Sequence, residues 1–204
     1  MTLNMLIGIL EQGLIYGIMA MGLLITYRIL DFPDLTVDSS FPLGAAVSAT
    51  LTLQGVAPWL TLLIGCAAGG IAGLITGLIH VKCRVRDLLS GIITMTGLYS
   101  INLHIAQNKA NLPLFGGDTL FRNAFTKSLP KAISPYTTLI IILLIALIAK
   151  ILLDLFLRTK CGYLLRAAGD NPSVVTTLSR DQGTVKILGL IIANALVALA
   201  GAVM

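Results

Sequence analysis

The sequence predicts an all-α polytopic membrane protein, and its composition and apolar patterning support this. Of its 204 residues, 56% are hydrophobic and only 11% are charged, whereas soluble domains carry about 25% charged residues. The mean hydropathy is +0.94. A transmembrane helix needs about 20 residues, so the chain has room for about six spans. This composition excludes a disordered tail, a collagen-like fibre and an ordinary cytosolic enzyme.

Six apolar runs predict the spans, and one run is too short to cross a bilayer by itself. They cover residues 5–27, 41–53, 57–81, 88–107, 135–157 and 185–204. The second run would rise only about 20 Å, against a hydrocarbon core of about 30 Å. We therefore predict a single transmembrane domain over residues 1–204 with a short or broken second helix.

The net charge of +5 indicates membrane orientation rather than nucleic-acid binding. Lys and Arg concentrate in cytoplasmic loops. Ten of the 14 basic residues fall on one side of the predicted spans and four on the other, which places the N-terminus outside. The inner set contains Arg28, Lys82, Arg84, Arg86, Lys150, Arg158, Lys160, Arg166, Arg180 and Lys186.

The sequence shows no set of residues with catalytic or metal-binding spacing. His80 and His104 fall on different predicted spans, and the three cysteines form no Cys-x-x-Cys pair. Walker, GxSxG and HExxH motifs do not occur. We therefore expect no catalytic residue, no metal site and no cofactor bound by this chain.

The segment 28–44 joins the first helix to the short one and mixes acidic with apolar residues. Pro33 and Pro42 are expected to interrupt it. Non-helical backbone at membrane depth persists only inside protein or beside a cavity, so a path-lining or gating role is favoured over a solvated loop. Asp38, Ser39 or Ser40 is expected to cap the short helix. The predicted path residues here are Asp31, Asp34, Asp38, Ser39, Ser40 and Phe41.

The fourth span carries Thr96, Tyr99 and Asn102 at three-residue spacing. Such groups are costly against lipid, so they should face a water-filled cavity or neighbouring helices, and the sequence leaves both open. The third span repeats glycine every fourth residue from Gly65 to Gly77. This pattern predicts close helix packing, either within the chain or between subunits.

The inner loop over residues 158–186 is long for a connection between helices. Asn171 and Pro172 are typical of a helix start, as N-cap and first helical residue. Val174, Val175 and Leu178 would then share one face of a two-turn helix. An amphipathic helix with so few cations fits a protein partner better than anionic lipid.

Four stretches together resemble a known superfamily. They are RILDFPDLTVDSSFPLGAA (28–46), LLSGIITMTGLYSINLHI (88–105), LRAAGDNP (165–172) and KILGLIIANALVALAGAV (186–203). The sequence resembles ABC importer permeases of the superfamily of branched-chain amino acid and ribose permeases. Within it, the chain is most similar to the branch of tryptophan/tyrosine-type transport permeases.

The resemblance implies a multi-pass permease in the bacterial cytoplasmic membrane, working with several partners. These are a cytoplasmic ABC ATPase, an extracytoplasmic substrate-binding protein and a second permease subunit, as in a homodimer. The solute would be a small organic molecule, by resemblance an amino acid and aromatic in kind. Residues 159–184 match the family's cytoplasmic coupling loop, which implies coupling roles for Arg166, Gly169, Asp170, Asn171, Pro172, Val174, Val175 and Leu178.

The chain departs from the family pattern at two places. Family members usually have glycine where this chain has Ser39, so Ser39 would be strained if that position needs a positive φ. Family members also continue with further helices, so the pore and dimer surface are expected to be incomplete in these residues. Two alternatives stay open: an ion-coupled secondary transporter with Glu11 or Asp38 as its carboxylate, and a truncated, nonfunctional permease remnant.

Overall fold

The computed structural model describes residues 2–107, 109, 121, 136–170 and 182–204. These residues form seven α-helices, which lie in chain order as α1 (Thr2–Leu23), α2 (Val37–Leu53), α3 (Pro58–Lys82), α4 (Asp87–Ile105), α5 (Thr137–Leu157), α6 (Lys160–Asp170) and α7 (Gln182–Val203). A π-helical turn, Leu24–Ile29, extends α1. The prediction of an all-α polytopic membrane protein is confirmed.

Among the described residues, five helices are long and apolar enough to cross a membrane: α1 with its π-helical extension, α3, α4, α5 and α7. The remaining predicted crossing is the short second one, which corresponds to α2 and has 17 residues. At about 1.5 Å per residue it rises about 25 Å, still short of the hydrocarbon core. The expectation of one short helix among about six crossings therefore agrees with the structure.

Helix α7 lies at the centre of the bundle and packs most extensively on α3, then on α2 and α1. The glycine repeat of α3 makes this approach possible. A Cβ on Gly69 would collide with Asn194 and Ala198, and one on Gly73 would collide with the Leu190 carbonyl. Of the two uses predicted for the glycine repeat, the structure therefore shows packing within the chain.

The junction between α1 and α2 differs from the prediction in two respects. Helix α2 begins at Val37 rather than at residue 41, so Pro42 lies inside it instead of interrupting the chain. The proline has no N–H to donate to the Asp38 carbonyl, a cost that is confined to the second turn of the helix. Thr36 is the N-cap, without a side-chain capping bond, so the expected caps are wrong.

Ser39 lies within α2 and is not strained. The described non-glycine residues with positive φ are Asp31, Arg84 and Gln107, so the expected strain at Ser39 is absent. Asp31 takes the left-handed conformation, with φ of 51°, two residues after the end of the π-helical turn. This conformation turns the chain back into the bundle, and aspartate tolerates it better than most residues.

The ends of the helices that carry the predicted inner cations lie together at one end of the bundle. The His80 ring joins three of them: Nδ1 lies 3.1 Å from Asp87 Oδ1, and Nε2 lies 3.4 Å from Lys186 Nζ. These contacts bring together the end of α3 and the starts of α4 and α7. We call this the basic end; its cytoplasmic placement stays a prediction from the charge bias.

Candidate functional site

Residues 30–36 form a non-helical segment that is buried inside the helix bundle. Leu30, Phe32, Asp34 and Thr36 are all at most 2% exposed. Asp34 bonds to Asn194, which lies about 12 Å along α7 from Lys186 at the basic end. The irregular backbone therefore reaches into the membrane-spanning part of the bundle, where surrounding helices supply its partners.

A chain of short hydrogen bonds fixes the Asp34 carboxylate. Its Oδ1 accepts from the Thr36 backbone N–H at 2.9 Å, and its Oδ2 accepts from Asn194 Nδ2 at 2.7 Å. The Ser40 hydroxyl donates to Asn194 Oδ1 at 2.6 Å. Asn194 Nδ2 also donates to the Leu190 carbonyl at 3.1 Å. This sealed network joins the broken segment to α2 and α7.

Two further contacts hold the broken segment against α3 and α4. The hydroxyls of Thr36 and Thr76 lie 2.8 Å apart, and Thr76 also donates to the Ala72 carbonyl at 3.1 Å. Gly91 of α4 has no Cβ, and an added one would lie 2.9 Å from the Leu35 amide nitrogen. The segment is thus tied to three helices, and displacing it would break contacts with each of them.

A cavity of about 720 Å³ runs along the side of α2 opposite Ser40 and the Asp34 network. It extends from Asp38 in the first turn of α2 to Thr52 in the last, which is about 20 Å of helix. The start of α3, the second half of α4 and the end of α7 complete its described walls, together with Lys109 and Phe121. This volume is in the range of small-molecule binding pockets.

The end of the cavity nearest the basic end, formed by Asp38, Ser39, Met95 and Asn102, is here called the floor. Ser39 Oγ donates to the Met95 carbonyl at 2.9 Å, and Asn102 Nδ2 donates to the Ser39 carbonyl at 2.9 Å. Asn102 Oδ1 is buried and has no hydrogen-bond partner among the described residues. Asp38 is exposed and contributes the negative charge of the described lining.

The structure divides the predicted path residues into two groups. Asp38, Ser39, Tyr99 and Asn102 line the cavity together. The others lie elsewhere: Asp34 and Ser40 in the sealed network, Asp31 exposed at the chain turn, Phe41 stacked on Tyr16 at 6.2 Å, and Thr96 exposed and bonded to the carbonyls of Ile92 and Ile93.

Two residues that hold the broken segment, Asn194 and Thr76, are absent from the sequence-based set. Each is a polar residue inside a long apolar run, and both are fully buried. A single asparagine in a predicted span is itself a signal, because an amide facing lipid is costly. Their partners lie 160 and 40 positions away along the chain, so only the fold reveals the pairing.

Within the predicted coupling loop, residues 159–170 and 182–184 are described, and most of them form the helix α6, which the sequence analysis does not predict. It contains Arg166, Gly169 and Asp170; Arg166 and Asp170 are exposed. Gly169 packs so closely on the π-helical turn that an added Cβ would collide with the Ile29 carbonyl. The remaining predicted coupling residues, namely Asn171, Pro172, Val174, Val175 and Leu178, lie outside the described residues.

Residues 5–204 match the model of a family described as branched-chain amino acid transport system, permease component. The chain is 44% identical over 199 residues to a tyrosine transport system permease protein of Clostridioides difficile, covering 98% of this chain and 63% of that protein. It is 32% identical over 210 residues to a probable branched-chain amino acid transport permease protein of Methanocaldococcus jannaschii, covering 95% and 64%.

A third relative, an uncharacterized protein of Rickettsia prowazekii, is 34% identical over 199 residues, covering 98% of this chain and 67% of that protein. The chain thus spans about two thirds of the length of these relatives. No solved structure matches it significantly.

Proposed function

Because the chain belongs to the family of branched-chain amino acid transport system permease components, we propose that it acts in an ATP-binding cassette importer. It would move an amino acid, aromatic in kind, across the bacterial cytoplasmic membrane. The observation that carries this proposal is the 44% identity to a tyrosine transport system permease protein over 98% of the chain. The cavity beside α2 supports it, since it offers a polar floor and apolar walls within the bundle.

The energy would come from a separate ATPase subunit, and this chain would need no catalytic group or cofactor of its own. Residues 159–184 would be the coupling loop that contacts the ATPase. Support comes from α6, whose Gly169 lies against the Ile29 carbonyl and whose Leu165 packs beside Leu30 and Gly189. A movement of α6 would therefore press directly on the start of the broken segment.

An extracytoplasmic substrate-binding protein and, within the bilayer, a second permease subunit complete the proposed assembly. Several α1 glycines support a close contact with another helix. Gly13 and Gly17 have no other atoms within 4 Å of an added Cβ, so this side of α1 has space for a neighbour. Such small-residue surfaces suit helix association in membranes.

The test is uptake of radiolabelled tyrosine by cells that express the complete transporter, with the chain tagged for recovery. We expect uptake to need ATP, and an ATPase with Walker motifs to co-purify with the chain. Uptake that collapses with the membrane potential at constant ATP would instead favour an ion-coupled transporter. Absence of both uptake and an ATPase would support a nonfunctional remnant.

The coupling role of α6 has its own test, Gly169→Val. The new side chain would collide with the Ile29 carbonyl, so we expect tyrosine uptake to fall at least tenfold while ATP hydrolysis continues. Cys161→Val on the exposed side of the same helix is the matched control. Unchanged coupling in Gly169→Val would show that the assignment of the coupling loop is wrong.

A further inference from the structure

The floor of the cavity presents two hydrogen-bond acceptors that receive no hydrogen bond within the described part of the chain. The Ser39 hydroxyl donates to Met95, and one N–H of Asn102 donates to the Ser39 carbonyl. The acceptors left over are Asn102 Oδ1, which has no partner, and the Asp38 carboxylate. Within the described part of the chain, Asp38 has no side-chain hydrogen bond and no ion pair.

An uncompensated carboxylate in this position is informative about the solute. Ionisable residues within the membrane-spanning region are costly and usually face a cavity, where they pair with a ligand or an ion. The described lining also contains a cation, Lys109, which forms no ion pair with Asp38. A floor with free acceptors and one negative charge fits a donor with positive charge.

From this geometry we propose that Asp38 binds the primary ammonium group of the transported solute at the floor of the cavity. The proposal deepens the proposed function and rests on it for the identity of the solute as an amino acid. The solute lies with its ammonium group toward Asp38. Tyr99 and the alanines of α2 then form the walls around its side chain.

The charge of the floor can be measured without transport, by the reactivity of a cysteine in the cavity. Ala45→Cys lines the cavity about 10 Å above Asp38 along α2. It is made in a chain in which Cys66, Cys83 and Cys161 are replaced by alanine, and the chain is kept in the assembled transporter in native membranes. The reagents are a primary-ammonium and a sulfonate methanethiosulfonate of equal size, with uncharged methyl methanethiosulfonate as reference.

We expect the ratio of the ammonium rate to the sulfonate rate to fall about fivefold when Asp38→Asn is added, because a unit charge at this distance acts oppositely on the two reagents. The uncharged reagent must react equally in both chains, which shows that the cavity is intact. Glu11→Gln, a charge change outside the cavity lining, is the matched control and should leave the ratio unchanged. An unchanged ratio with Asp38→Asn overturns the proposal.

Recognition of the ammonium group itself is tested by protection of Ala45→Cys from the uncharged reagent. Tyrosine and tyramine should protect the cysteine, whereas 3-(4-hydroxyphenyl)propionate, which lacks the amine, should not. Asp38→Asn should abolish the protection by tyramine. Equal protection by the propionate, or none by any of the three compounds, overturns the proposal. Neither result depends on uptake, so this failure is distinguishable from failure of the proposed function, in which tyrosine uptake itself is absent.

Discussion

Two carboxylates four positions apart on the chain, Asp34 and Asp38, have opposite surroundings. Asp34 is 1% exposed, and each of its oxygens accepts a hydrogen bond from a neighbouring residue. Asp38 is exposed at the floor of the cavity, without a partner among the described residues. The difference arises because Asp34 precedes α2 and turns toward α7, whereas Asp38 lies in the first turn of α2 on the side of α4.

The two regions therefore have different uses for a negative charge. The protein itself supplies the hydrogen-bond donors for Asp34, so removing that carboxylate should lower the stability of the fold. Asp38 has no partner among the described residues, so removing that carboxylate should weaken binding of the solute. The adjacent residues Ser39 and Ser40 repeat this division, since Ser39 donates to Met95 of α4 and Ser40 to Asn194 of α7.

The largest expected effect on stability comes from Asp34→Ala. The substitution leaves the Thr36 N–H without its acceptor and takes from Asn194 the partner that orients its amide. Removing one member of a buried polar network leaves the others unpaired, so we expect the free energy of unfolding to fall by about 3 kcal/mol. The measurement is SDS-induced unfolding of the purified protein, followed by circular dichroism.

Asp38→Ala is the matched control, because it removes the same group from the open region. We expect its free energy of unfolding to stay within about 0.5 kcal/mol of the unsubstituted protein. Equal losses in the two variants would contradict the division into a sealed and an open region.

The second effect concerns the contact between α3 and α7, which closes the sealed region. In Gly73→Ala the new methyl group meets the Leu190 carbonyl, and backbone must move to accept it. Overpacking of this kind costs about 2 kcal/mol, measured by the same unfolding titration. Gly97→Ala places the same methyl group in open space on α4 and should not destabilise the protein. Equal stability of the two variants would show that the contact yields without cost.

The sequence predicts the long helices well and their junctions poorly, for a physical reason. Apolar length alone defines α3, α4, α5 and α7 to within three residues at each end, because lipid thickness sets that length. Pro42 suggests a break, yet it is tolerated inside α2, where one missing hydrogen bond is offset by packing on α7. Tertiary contacts of this kind are not visible in the local pattern.

The candidate site is predictable only in part, because some of its contacts also form only in the folded chain. The segment 28–44 and the polar residues of the fourth apolar run supply Asp38, Ser39, Tyr99 and Asn102, which do meet in one cavity. Spacing along the chain does not distinguish Asp34 from Asp38, since both alternate with apolar residues. The distinction depends on Asn194, which lies 160 positions from Asp34 and meets it only in the folded chain.

A smaller effect is expected at the boundary between the two regions, in Ser39→Ala. The variant loses one neutral hydrogen bond, from Ser39 Oγ to the Met95 carbonyl at 2.9 Å. A bond of this type contributes about 1 kcal/mol, and the Met95 carbonyl keeps its helical environment. Thr96→Val is the control, because the Thr96 hydroxyl bonds only to its own helix. A loss above about 2 kcal/mol in unfolding titrations would mean that Ser39 belongs to the sealed region.

The smallest expected effect is the coupling free energy between the hydroxyls of Thr36 and Thr76, measured apart from the packing around them. Each hydroxyl is fully buried, and the two oxygens are 2.8 Å apart. Thr36→Val and Thr76→Val preserve side-chain shape, so the two single variants and the double variant form a cycle that isolates the interaction. Hydrogen bonds between membrane helices average about 0.6 kcal/mol in such cycles, and we expect a coupling free energy of that size.

A coupling free energy near zero would place the stability of the broken segment in the Asp34 network alone. A value near 0.6 kcal/mol would mean that the Thr36–Thr76 contact with α3 adds to the Asp34 network in holding the segment. In that case a movement of α6 must break both contacts before the segment can move. Neither contact restrains Asp38, so Asp38 can bind the solute first.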